Sequence, residues 1–111
     1  LELFRNAALT FNALQQKKEA LSLYRQMVKV LPEAQLKATD YLNIAGCFVA
    51  NDIHDTAQVY LTKYYEKENA APSPMAYRLS ATLYASKKDF ETASEYWDLA
   101  VRGNVKMHYA N

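Results

Sequence analysis

Hydrophobic and polar residues alternate along this chain with the spacing of amphipathic helices. In the stretch KKDFETASEYWDLAV, Ala93 follows Phe90 by three positions and precedes Trp97 by four, and Ala100 extends the same face. A small residue framed by two large aromatic ones favours a helix that a second helix approaches closely. We therefore expect Phe90 and Trp97 to fill the space on either side of a helix crossing at Ala93.

The same arrangement recurs twice earlier in the chain. Ala20, Ala57 and Ala93 are separated by 37 and 36 residues. Each has an aromatic residue sixteen and nine positions before it, an alanine twelve before it and a large apolar residue four after it. Five columns that agree in three rows predict a repeated structural unit, not one closed bundle. The accompanying columns are Phe4, Tyr41 and Tyr77; Ala8, Ala45 and Ala81; Phe11, Phe48 and Tyr84; and Tyr24, Leu61 and Trp97.

Each unit divides into two helices separated by polar residues. Pro32 is expected to end the second helix, because its ring cannot continue the hydrogen-bond ladder. Ser73 and Pro74 form a natural start for the fifth helix, and Gly103 stands where the sixth should stop. The periodicity predicts helices over about residues 2–14, 17–30, 38–50, 54–68, 74–86 and 90–102.

On these residues the chain resembles the tetratricopeptide repeat (TPR) family. Units of that family carry an aromatic, a leucine, a small residue and an aromatic on the first helix, then alanine, an aromatic, alanine and proline on the second. The resemblance implies an all-α, right-handed superhelical solenoid of three helix-turn-helix hairpins, with six helices and the start of a further one. The three copies would span residues 1–37, 38–73 and 74–108. The matching rows are Phe4, Ala7, Ala8, Phe11, Ala20, Tyr24, Met27 and Pro32; Tyr41, Ile44, Ala45, Phe48, Ala57, Leu61, Tyr64 and Asn69; and Tyr77, Ser80, Ala81, Tyr84, Ala93, Trp97, Ala100 and Val105.

Several positions depart from the family pattern. Spacings of 37 and 36 exceed the usual length of about 34, so longer loops are expected between units. Met27 and Tyr64 stand where alanine is usual, and Ser80 replaces a core leucine. The chain is therefore expected to be a divergent array.

The resemblance implies a concave face, lined by the first helix of each unit, that binds an extended peptide or a partner helix. Asparagine side chains there can pair with peptide N–H and C=O groups, and arginines can hold a carboxylate. Of the clamp that chaperone-binding members use for a peptide carboxylate, only Asn43 is identical and Arg5 similar, so that clamp is incomplete. Solvated surface is the alternative interpretation of this face. Its residues would be Glu2, Arg5, Asn6, Leu9, Asn12, Leu42, Asn43, Gly46, Val49, Met75, Arg78, Leu79 and Thr82.

Two further features favour either a binding site or ordinary packing. Gly46 lies within a predicted helix, where it favours the close approach of either a ligand or a neighbouring helix. Tyr60, Tyr65 and Tyr96 fall outside the repeat columns, and we expect them to form an exposed aromatic patch.

Charge and cysteine content limit the classes of function that fit this chain. With 13 basic and 12 acidic residues, the chain offers no strong field for nucleic acid or an anionic membrane. The single cysteine, Cys47, forms no internal disulfide and is expected to be a buried, inert thiol. The sequence opens within the periodic pattern and without methionine, so we expect a piece of a longer protein, for which cytoplasm and periplasm are both compatible locations.

Catalysis is not expected. The two histidines are His54 and His108, and no phosphate loop, zinc-protease motif or paired cysteines appear, so neither a cofactor nor a metal is expected. A non-catalytic protein-interaction scaffold fits best. One alternative is a structural or oligomerisation spacer that self-associates through uncapped ends, since VKMHYAN looks like the start of a further unit. Another is RNA binding, because EALSLYRQM resembles the pentatricopeptide repeat, although that family's glycine-proline loop is absent.

Overall fold

The computed structural model describes Ala7 and residues 16–67 and 72–102 of the chain. Over these residues the protein is all-α and contains no strand, as the periodicity predicts. The predicted bounds of the helices agree with the observed ones to within one residue. The helices are α1 (Lys17–Val30), α2 (Ala38–Ala50), α3 (His54–Lys67), α4 (Pro74–Ser86) and α5 (Phe90–Arg102), with a short 3-10 helix at Glu33–Gln35.

The first predicted helix, residues 2–14, lies outside the described residues except for Ala7, which is helical. The positions expected to follow the last helix, Gly103, Val105 and His108, lie outside them too, as does Asn69. The count of six helices and the start of a further one therefore stay predictions.

The chain divides into two compact units, Leu1–Lys67 and Glu68–Asn111. In the first unit, α2 and α3 form a closely packed hairpin, and α1 packs against α2. In the second unit, α4 and α5 form a hairpin of their own. The boundary between the units falls directly after α3, which ends at Lys67.

Local chemistry explains where the helices begin and end. Leu31 precedes a proline and is extended, which ends α1, and Pro32 leads into the 3-10 helix. At the start of α4, the Ser73 hydroxyl accepts a hydrogen bond from the Ala76 N–H at 3.3 Å, and Pro74 occupies the first turn. The start of α2 is held differently, since the Lys37 N–H donates to the Asp40 carboxylate at 2.9 Å.

Both hairpins turn through a residue in the left-handed region. Asp52 has a φ of 60° and Lys88 a φ of 66°. Each turn contains the six-to-one hydrogen bond of a Schellman motif, from the Ile53 N–H to the Phe48 C=O at 2.9 Å in the first hairpin and from the Asp89 N–H to the Tyr84 C=O at 3.0 Å in the second. Neither turn uses glycine, so the side chain at this position costs conformational energy in both hairpins.

Alanines lie buried where the hairpin helices face each other. Ala45 and Ala57 are fully buried in the first hairpin, and Ala81 and Ala93 are 0% and 4% exposed in the second. Ala20 on α1 is also fully buried. The described alanines of the two repeat columns therefore lie in the core, whereas Ala8 lies outside the described residues.

The expected positions of Phe90 and Trp97 are wrong. Phe90 is 65% exposed and Trp97 is 44% exposed. At about 100° per residue, these two side chains lie on one flank of Ala93, whereas Tyr96, which contacts α4, lies on the other. Only the Tyr96 flank of α5 is packed in its hairpin, so the other two aromatic side chains do not fill space at the crossing.

We predict that Lys88→Gly raises the free energy of unfolding by about 0.5–1 kcal/mol, because glycine adopts a positive φ without a steric penalty. Urea denaturation followed by circular dichroism measures the change. The matched control is Lys87→Gly, at a neighbouring residue with a φ of −90°, where glycine should instead lower stability. Equal effects of the two substitutions would contradict the turn geometry.

Candidate binding surfaces

The described residues do not include the groove positions expected in the first repeat, which are Glu2, Arg5, Asn6, Leu9 and Asn12. The expected groove residues of the first hairpin lie along one face of α2. Asn43, Gly46 and Val49 are half-buried there, while Leu42 is only 7% exposed. Leu42 therefore offers a partner little surface, and Asn43 is the polar group of this face that reaches solvent.

The expected groove residues of the second hairpin lie along one face of α4. Arg78 is exposed, whereas Met75, Leu79 and Thr82 are half-buried. The Thr82 hydroxyl donates to the Arg78 carbonyl oxygen at 3.0 Å, so part of its hydrogen-bonding capacity is used within the helix. The Arg78 guanidinium forms no ion pair with any described residue.

In the first hairpin, three aromatic rings form a stack between α2 and α3. Tyr60 stacks on Phe48, with ring centroids 5.6 Å apart and an interplanar angle of 4°, and on Tyr41 at 6.2 Å. Cations cover these rings: the Arg25 guanidinium lies 5.6 Å from the Phe48 centroid, and the Lys63 ammonium lies 5.6 Å from that of Tyr60. The stack thus joins the hairpin core to a positively charged surface.

The second hairpin contains the same kind of stack. Tyr96 stacks on Tyr84 at 5.5 Å with an interplanar angle of 8°, and contacts Tyr77 at 6.3 Å. The Lys87 ammonium lies 5.7 Å from the Tyr84 centroid. Every ring of this stack stands 36 residues after its counterpart in the first hairpin.

The expected aromatic patch of Tyr60, Tyr65 and Tyr96 is therefore wrong. Tyr60 and Tyr96 are half-buried within their own hairpins, and Tyr65 packs edge-on against Tyr64 at 5.3 Å. The signal that reveals this arrangement was present in the sequence, because Tyr60 and Tyr96 themselves form a column at the repeat spacing. Pairing that column with the first-helix aromatics would have placed both tyrosines inside.

A buried polar cluster joins α1 and α2. The Tyr24 side chain is 1% exposed, and its hydroxyl has no hydrogen-bond partner among the described residues. Burial, with smaller contributions from the negative charges of Cys47 and Asp40, raises the pKa of Tyr24 to about 12. A buried tyrosine hydroxyl in this setting stays protonated near neutral pH.

Cys47 is fully buried in the same cluster, as the sequence predicts. Burial raises the pKa of its thiol, and the nearby Arg25 only partly offsets this. The Asn51 amide donates to the Lys17 carbonyl oxygen at 3.1 Å and to the Cys47 carbonyl oxygen at 2.9 Å. The thiol is therefore enclosed by packing and is a poor nucleophile.

Described residues of the first unit line two open grooves. The larger, of about 530 Å³, is lined by α1 and by the turn between α2 and α3; we call it the basic groove. It is lined by Lys18, Leu21, Ser22, Arg25, Gln26, Lys29, Asn51 and Ile53.

The smaller groove, of about 330 Å³, lies between the 3-10 helix and α3 and has mixed charge. The Lys63 ammonium contacts the Glu33 carboxylate at 2.6 Å across it, and this pairing lowers the pKa of Glu33 and raises that of Lys63. Lys67 donates to the Leu36 and Glu33 carbonyl oxygens. The side chains of this groove are thus largely engaged with one another.

Neither His54 nor Cys47 lines either groove. His54 is half-buried at the start of α3, and His108 lies outside the described residues. Within residues 16–67 and 72–102, no cluster of three potential metal ligands occurs. In the same part of the chain, none of the helices has both the length and the apolar character needed to span a bilayer.

Comparison with protein-family models, with curated proteins and with solved structures finds no match to this chain. Its class therefore rests on its own architecture, which is all-α and contains two helical hairpins in the described residues.

Replacing Tyr24 by Phe should leave the free energy of unfolding at pH 7 unchanged or raise it by up to about 1 kcal/mol, because it removes a buried hydroxyl that lacks a partner. The pKa of this hydroxyl is higher in the folded protein than its ordinary value of 10.0, so the folded state holds the proton longer. The stability that this provides is complete below pH 10 and is lost as pH rises towards 12.

Denaturation at a series of pH values tests both parts. Between pH 10 and 12 the free energy of unfolding should fall by about 2 kcal/mol more for the unsubstituted chain than for the Tyr24→Phe variant. The comparison at pH 7 is the internal control for packing. Parallel pH profiles for the two chains would show that this hydroxyl is not desolvated in the folded state.

Proposed function

We propose that this chain is a divergent TPR-like array of three repeats, over residues 1–37, 38–73 and 74–108, whose stacked hairpins form a right-handed superhelical solenoid. One observation carries the proposal: two stacks of three aromatic rings, Tyr41–Tyr60–Phe48 and Tyr77–Tyr96–Tyr84, recur at a spacing of 36 residues. Their centroid distances agree to within about 0.1 Å. The left-handed turn residues, Asp52 and Lys88, recur at the same spacing, which supports a repeated hairpin unit.

As a function we propose a non-catalytic scaffold that binds an extended peptide or a partner helix along the first helices of the repeats. Asn43 on α2 and Arg78 on α4 supply complementary chemistry for such a ligand. The amide can pair with a peptide backbone, and the unpaired guanidinium can hold a carboxylate. Neither a cofactor nor a metal has a role in this proposal. The binding face would comprise Arg5, Asn6, Leu9, Asn12, Leu42, Asn43, Gly46, Met75, Arg78 and Thr82.

Selection of phage-displayed random dodecapeptides against the immobilised chain tests the binding face. Peptides that bind should lose at least about tenfold in affinity when Asn43 and Arg78 are both changed to Ala, since two polar contacts are lost. The matched control changes Gln58 on α3 and Arg102 on α5 to Ala, which removes an amide and a guanidinium from second helices. Selected peptides that bind the Asn43→Ala and Arg78→Ala variant as tightly as the control variant would contradict the proposal for this face.

The exposed apolar residues of α5 favour a second function, assembly into a larger complex. Phe90, Trp97 and Val101 are 65%, 44% and 81% exposed and lie on one flank of the helix. At the equivalent position of α3, Leu61 is 1% exposed. A flank that is buried on one second helix and open on the other is the kind of surface that structural spacers use for self-association.

We predict that the chain dimerises as concentration rises, and that Trp97→Glu abolishes this by placing a charge on the apolar flank. Sedimentation velocity measures the association. Fluorescence follows the same event, because Trp97 is the single tryptophan of the sequence and its emission should shift to shorter wavelength on association. The control, Val59→Glu, alters an exposed apolar residue of α3 and should leave association intact. A chain that stays monomeric up to about millimolar concentration contradicts self-assembly.

A further inference from the structure

The basic groove of the first unit is lined by basic residues and by no acidic residue. Lys18, Arg25 and Lys29 line it, whereas no carboxylate does. None of the three cations forms an ion pair with a described residue. Glu19 and Asp52, which adjoin lining residues in sequence, are not part of the lining. The groove is therefore a local positive site on a chain whose net charge is only +1.

The cations form a row along α1. Lys18, Ser22, Arg25 and Lys29 follow one another at intervals of four, three and four residues, which places them on one face of the helix. With a rise of about 1.5 Å per residue, the row is about 16 Å long, close to the length of five residues of extended peptide. A short extended segment with a carboxylate near each end would match this spacing.

The walls of the groove are held in place by contacts with the core. The Arg25 guanidinium lies over the Phe48 ring, which restricts its position before any ligand arrives. The Asn51 amide, on the opposite wall, donates to the Lys17 carbonyl oxygen at 3.1 Å and so ties the turn to the start of α1. A site built in this way loses less conformational entropy on binding than free lysines on an open surface.

The floor of the groove is apolar. Leu21 is 8% exposed and Ile53 is half-buried, and both face the lining. No aromatic side chain lines the groove, and the nearby Phe48 ring is already covered by Arg25. Because single-stranded nucleic acid binds through base stacking on exposed rings, this lining favours a peptide over RNA.

We propose that the basic groove is a docking site for an acidic segment of a partner protein, about five residues long, in which carboxylates flank an apolar side chain. The carboxylates pair with Lys18, Arg25 and Lys29, and the apolar side chain rests on Leu21 and Ile53. This site lies on the second helix of the first proposed repeat. It is separate from the first-helix face and does not depend on it.

Fluorescence anisotropy with the whole chain tests the proposal. The probe is a fluorescein-labelled peptide in which glutamates surround one central leucine, and the reference peptide carries glutamine in place of every glutamate. We expect saturable binding of the acidic peptide at tens of micromolar and none of the reference. Raising the salt concentration from about 50 to about 200 mM should weaken binding severalfold. Binding of the two peptides with equal affinity would overturn the proposal.

Charge-reversal variants test whether the acidic peptide binds in the basic groove. Lys18→Glu combined with Lys29→Glu should weaken binding of the acidic peptide at least tenfold. Both side chains are exposed, so the substitutions should leave the core intact. The matched control, Lys87→Glu combined with Lys88→Glu, makes the same change of net charge at the exposed turn between α4 and α5 and should alter affinity less than twofold. Equal losses in the two double variants would reduce the effect to net charge and overturn the site.

A third measurement distinguishes peptide binding from nucleic-acid binding. Fluorescein-labelled polyuridine, measured under the same conditions, should bind more weakly than the acidic peptide. Tighter polyuridine binding that is lost in the Lys18→Glu and Lys29→Glu double variant would assign the groove to RNA and overturn the proposal. Loss of peptide binding in the Asn43→Ala and Arg78→Ala double variant, with the groove residues unchanged, would also overturn it.

Discussion

The contact of two helices at paired alanines is the constraint on which the other features of each hairpin depend. Ala45, Ala57 and Ala81 are fully buried, and Ala93 is nearly so. Small side chains let the two backbones approach, and this brings the rings beside them to stacking distance, as in the 5.6 Å contact of Phe48 and Tyr60. Larger residues at these alanines would separate the helices and open the stack.

The aromatic stack of the first hairpin connects its core to its surface. Arg25 lies over Phe48, and Lys63 lies over both Tyr41 and Tyr60. Packing inside the hairpin therefore fixes the positions of positive charges outside it. In the basic groove this gives one cation held over an aromatic ring, in a row with two exposed lysines, an arrangement suited to recognising a short acidic segment.

The groups with the greatest chemical reactivity are used in packing. Cys47 and Tyr24 are enclosed between α1 and α2, with the pKa of both raised by burial, and His54 is half-buried where α3 begins. Amide, guanidinium and ammonium groups occupy the surfaces instead, together with the apolar flank of α5. Such surfaces bind other molecules through complementary shape and charge, which is why we propose a scaffold without catalysis.

The sequence by itself determined the helix bounds and the buried alanines, because both depend on local signals: apolar spacing, a proline after α1, and serine and proline before α4. It did not determine which flank of α5 is covered, since periodicity gives the direction of a side chain around its helix but not the neighbour on that side. For this reason the sequence-based prediction misplaces Phe90 and Trp97. The basic groove likewise required the tertiary structure, because the Asn51 amide reaches the Lys17 carbonyl oxygen across 34 residues of chain, a contact that no local pattern encodes.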